Sequence, residues 1–67
     1  MPARMTPADQ AKHARESLRI SLSHGWDDAR CREYAAEALR GQGVPIAEAR
    51  AVVQRVWDER FRVWGAV

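Results

Sequence analysis

Apolar positions recur at helical spacing in three stretches of the chain, most regularly over residues 45–64, PIAEARAVVQRVWDERFRVW. On a wheel of about 100° per residue, Ile46, Ala49, Val52, Val53, Val56, Trp57, Phe61, Val63 and Trp64 share one half of the surface. Glu48, Gln54, Arg55, Asp58, Glu59 and Arg62 take the other half, the division of an amphipathic helix. Two cations break it: Arg50 falls to one side of the apolar half, and Arg60 falls near its middle. Pro45 suits a first turn, where its missing N–H costs no bond, and Glu48 complements the positive end of the helix. The four-apart pairs Arg55–Glu59 and Asp58–Arg62 lie on the wet side.

The first stretch opens with Thr6 as a cap, Pro7 at the first helical position and Asp9 three residues after the cap. It predicts a helix to about Ser23 with a narrow stripe of Ala11, Ala14, Leu18 and Leu22. Ile20 points the other way, His13 faces solvent, and Lys12, Arg15 and Arg19 form a short basic strip. Gly25 closes this helix in a left-handed conformation. Asp27 caps the next helix, Asp28 complements its dipole, and Trp26 between them folds back to plug the end of the core. In the second helix Cys31, Tyr34, Ala35, Ala38 and Leu39 share a face, while Arg30, Glu33, Glu37 and Arg40 point away. Its alanines leave room for a close neighbour. Gly41 and Gly43 end it, and a link this short makes helices two and three adjacent in space.

The pattern therefore predicts an all-α fold, a compact three-helix bundle with the third helix longest. It forms a single helical domain over residues 1–67, with helices at about 7–23, 28–40 and 45–64 and a flexible lead-in at 1–5.

Composition adds the question of support. A chain of 67 residues hides only about 60% of its unfolded surface, so its core is small. One cysteine, Cys31, makes no internal disulfide, which leaves a partner as the expected reinforcement. The net charge of +2 is mild. No apolar run approaches the roughly 18 to 20 residues of a membrane span, and the amino terminus lacks an apolar signal region. A cytoplasmic protein without membrane contact is the expectation.

Candidate chemistry is sparse. Cys31 is the one thiol, but it falls on the core face, where a thiol behaves as a small hydrophobe. His24 and Cys31 are seven apart, a spacing that suits no metal pair, and His24 belongs at a helix C-terminus. Gly41-Gln42-Gly43 carries neither the phosphate-loop lysine nor the dinucleotide fingerprint. The neighbours Asp27-Asp28 and Asp58-Glu59 diverge on a helix and make no acid–base dyad. No catalytic, metal-binding or cofactor-binding residue is predicted, and no cofactor or enzyme activity is expected.

What the pattern favours is a protein-binding module, a regulator or inhibitor that docks on a larger target or on a second copy as a homodimer. Helices one and two offer mostly alanine and two leucines, too little bulk to cover the whole apolar half of helix three. The surplus places the expected interface at Trp57, Arg60, Phe61 and Trp64, residue types that carry interface energy. Three readings of Arg60 stay open: it snorkels to water, it pairs with Glu33 or Glu37, or it anchors an acid on a partner. One alternative is a small dimeric DNA-binding protein whose nucleic-acid contacts are Lys12, Arg15 and Arg19. Another is a purely structural subunit of a larger assembly.

Overall fold

The computed structural model describes the backbone of residues 5–65 and the side chains of residues 5–59. Three helices follow one another: α1 (Pro7–Ser23), α2 (Asp28–Gly41) and α3 (Ile46–Gly65). No strand occurs among the described residues. The stretch of α3 with described side chains, 46–59, is no longer than α1; the backbone of 60–65 takes α3 to 20 residues.

The first two helices begin where their caps predict. The Thr6 hydroxyl accepts from the Asp9 N–H at 3.1 Å, and the Asp27 carboxylate accepts from the Arg30 N–H at 2.8 Å. Both caps satisfy an N–H that the first turn would otherwise leave without a partner. The α2 terminus is a complete Schellman motif. Gly43, at φ 95°, donates to the Arg40 carbonyl at 3.0 Å, and Val44 donates to the Leu39 carbonyl at 3.1 Å. Val44 and Leu39 are both buried, the apolar contact that accompanies this motif. Gly25, at φ 78°, closes α1 more simply, with one bond from its N–H to the Leu22 carbonyl.

The core lies between all three helices. It comprises Ala14 and Leu18 from α1, Cys31, Ala35, Ala36 and Leu39 from α2, Val44 from the link, and Ala49, Val52, Val53, Val56 and Trp57 from α3. The α1 face is wider and more polar than its apolar stripe implied, because Gln10, Ser17 and Ser21 are also buried. Gln10 and Ser21 satisfy themselves locally. The Ser21 hydroxyl is within 3.0 Å of the Ser17 and Leu18 carbonyls, and the Gln10 amide donates to the Met5 carbonyl at 3.2 Å. A serine bonded back to its own helix buries no unmet donor and occupies little more room than alanine, so it suits a tight helix contact. Met5 packs partly against the core; residues 1–4 lie outside the described residues.

On α2 the buried face is turned from the expected one. Ala36 is buried, Ala38 is half-buried, and Tyr34 is 38% exposed. Cys31, Ala35 and Leu39 face inward as expected. The face divides this way because α2 contacts both α1 and α3. Two neighbours on different sides demand small residues along both flanks, and bulk at Tyr34 goes outward.

Candidate functional site

The expected interface belongs to the carboxy-terminal half of α3, and the pairing of α3 with α2 positions it. Arg50 on α3 donates to the Glu33 carboxylate on α2 at 3.1 Å. Further along α3, the guanidinium of Arg32 lies over the Trp57 ring, 5.0 Å from its centroid. A later α3 residue thus meets an earlier α2 residue, so the two helices are antiparallel. By these two contacts the start of α2, Asp28, comes level with residues 55–61 of α3. The helical backbone up to Gly65 continues beyond it by about 6–15 Å at 1.5 Å per residue.

Trp57 is 8% exposed and belongs to the core. Its ring lies under Arg32 and is mostly covered within the molecule. Trp57, one of the four residues expected at an interface, is therefore largely covered within the single chain. The side chains of Arg60, Phe61 and Trp64 lie outside the described residues. Two acids considered for Arg60 are engaged elsewhere: Glu33 holds Arg50, and Glu37 holds Arg40 at 2.8 Å. Of the four-apart pairs, Arg55–Glu59 is not among the ion pairs of the described residues; Asp58 accepts instead from the Gln54 amide at 2.9 Å.

Between α2 and α3 runs an open groove of about 210 Å³, lined by Ala29, Arg32, Glu33, Arg50, Val53 and Gln54. Arg32 and Arg50 have no resemblance to each other in the sequence pattern. Only the antiparallel register brings them to one groove.

Lys12, Arg15 and Arg19 are all exposed on α1, and none is in an ion pair among the described residues. The strip is interrupted by acid. Asp9 and Glu16 share with Lys12, His13 and Met5 a shallow depression on this face. His13 is half-buried there, a correction to its solvent-facing assignment.

Sequence reasoning missed a third cluster, at the α1–α2 corner. Trp26 stacks on His24 with centroids 5.5 Å apart and meets Tyr34 edge-on at 5.4 Å. The Arg30 guanidinium lies 4.4 Å from the Trp26 centroid. Trp26 is half-buried against the core, as its role at the end of the core requires. The signal was there in the eight-residue step from Trp26 to Tyr34, about two helical turns. Beneath the cluster the Cys31 thiol is fully buried and donates to the Trp26 carbonyl at 3.5 Å. Among the described residues no group of three or more His, Cys, Asp or Glu side chains is arranged to hold a metal ion.

Neither a family model, a curated protein nor a solved structure matches this chain.

No described helix is long and apolar enough to cross a membrane. The described surfaces are thus an Arg-rimmed groove, an interrupted basic strip and an aromatic corner.

Proposed function

We propose that this protein is a non-enzymatic, cytoplasmic protein-binding module, a regulator or inhibitor that works by occupying a surface on a partner or on a second copy. The observation that supports this is the helical backbone of α3 running past the start of α2 to Gly65. Beyond Trp57 the sequence still supplies Phe61, Val63 and Trp64 with Arg60 among them. A helix end of this composition suits a helix-in-groove contact, in which a few apolar and arginine anchors dock in a partner's cleft. A helix end this short is small beside the roughly 800 Å² per partner of a standard interface, so a cleft that surrounds it serves better than a flat surface.

The test compares the wild type with a Phe61→Ala/Trp64→Ala double variant. Sedimentation at micromolar concentration gives the self-association state, and crosslinking in the native host gives heterologous partners. Loss of dimer or of a specific crosslinked species in the variant supports the reading. A wild type that stays monomeric and crosslinks no differently from the variant sinks it.

A second reading, a small DNA-binding protein, draws on Lys12, Arg15 and Arg19 being exposed and free of ion pairs among the described residues. Three phosphate contacts would give a slope of about −3 in log affinity against log salt. A salt-independent or absent shift with duplex DNA removes it.

A further inference from the structure

We infer that the α2–α3 groove is a receptor for a glutamate side chain on the partner, with Arg32 as the group that recognises the carboxylate. This rests on the docking reading above and gives it a partner chemistry.

The argument begins with what each lining group has left to offer. Arg50 and Glu33 engage one another at 3.1 Å, and both remain about half exposed or more, at 60% and 51%. Arg32 is half-buried, and it makes no ion pair among the described residues. Its guanidinium lies over the Trp57 ring, the central carbon 5.0 Å from the centroid. Stacking uses the face of a guanidinium and leaves the N–H donors around its edge available. Trp57, itself in the core, holds that face in place, so little side-chain freedom remains to be lost on binding. A stacked arginine with free edge donors is suited to a carboxylate, which it can grip with two parallel hydrogen bonds.

The rest of the groove selects the kind of carboxylate. Its floor includes Ala29 and the buried Val53, small apolar surfaces along which methylene groups can lie. A glutamate combines such a stem with the terminal charge, whereas inorganic phosphate has no stem. Two acids stand nearby. Glu33 is neutralised by Arg50, and Asp58, at the next turn of α3, accepts from the Gln54 amide. With Arg32 and Arg50 against Glu33, the lining carries a net charge of +1. Glu33 also sets a limit, because its carboxylate opposes an incoming one and occupies a donor of Arg50.

The experiment is an amide chemical-shift titration of the full chain with a short capped peptide containing one glutamate between alanines, at constant ionic strength. Parallel arms use the same peptide with glutamine and inorganic phosphate. Expected are saturable shifts at Ala29, Arg32, Val53 and Gln54 and at the Trp57 indole, absent with the glutamine peptide. Arg32→Gln should weaken binding about tenfold, the scale of one charge-assisted hydrogen bond, while keeping the dispersed spectrum of a folded protein. Glu33→Gln should tighten it, because it removes the opposing carboxylate and frees Arg50 at the same groove. Unchanged binding in Arg32→Gln overturns the inference, and so does phosphate binding as tightly as the glutamate peptide. Should Arg32→Gln unfold the protein, the Glu33→Gln variant decides alone: weaker or equal binding counts against the inference. The Phe61→Ala/Trp64→Ala variant should bind the peptide as the wild type does. A failure of the α3 docking reading is thereby told apart from a failure of the groove.

Discussion

Removing the Trp57 ring separates a core tryptophan from an interface tryptophan. Trp57 is 8% exposed, and an aromatic side chain of this kind buries about 150–250 Å². At about 25 cal/mol per Å² that is about 4–6 kcal/mol, an upper figure because the unfolded chain already hides part of its surface. Measured aromatic-to-alanine losses in cores run at about 3–5 kcal/mol, and Trp57→Ala also deprives Arg32 of the ring it stacks on. A chain of this size has of the order of 3–10 kcal/mol of stability in all. Trp57→Ala should therefore leave the protein barely folded or unfolded at 25 °C. Trp57→Phe, which keeps a ring and removes less volume, should cost about 1–3 kcal/mol and lower the melting temperature by about 4–8 °C for each kcal/mol. Urea unfolding followed by helical circular dichroism supplies the comparison. It should be run at two low protein concentrations, so that any self-association shows as a concentration-dependent midpoint. A loss below about 1 kcal/mol in Trp57→Ala, or one that vanishes on dilution, would refute the placement of Trp57 in the core.

Three further outcomes follow from the helix ends and the buried serines. Gly43→Ala should cost about 1–2 kcal/mol, read by the same urea assay. The cause is backbone strain at φ 95° and not crowding, since no atom lies within 4 Å of an added Cβ. Asp27→Ala should cost about 0.5–2 kcal/mol through the lost cap, whereas Asp27→Asn, which keeps an accepting oxygen, should lose only a fraction of that. Ser21→Ala should stay within about 0.5 kcal/mol of the wild type, because the hydroxyl bonds only to its own helix. Ser21→Leu at the same position should cost about 1–3 kcal/mol by forcing α1 from its neighbours; an equal effect of the two would mean that the tight contact is misplaced.

The helix boundaries could be read from the sequence because caps are local chemistry. Thr6, Asp27, Gly25 and Gly43 act on groups within a few residues, and each does so in the structure. The facing of α2 could not be read so well. Tyr34 looked like core by its hydrophobicity, but which side of α2 is inside depends on where two other helices lie. The burial of Ser17, Ser21 and Gln10 was missed for a related reason: a wheel scores a side chain by polarity, while a hydroxyl bonded to a carbonyl three or four residues back is no longer polar to its neighbours. The groove was beyond sequence reading, because Arg32 and Arg50 are brought together by a register and not by a motif. Residue types still place Arg60, Phe61 and Trp64 at the end of α3, which is where the proposed interface lies.

Cys31 gives this small protein a clock of its own opening. Its thiol is fully enclosed and bonded to the Trp26 carbonyl, at a point that α1, the corner and α2 share. A thiol reagent in water can reach the sulfur only when that junction parts. The labelling rate against reagent concentration would thus time how often the corner opens, and the limiting rate would show whether it opens alone or only with the whole bundle. A single thiol makes the motion of the fold countable.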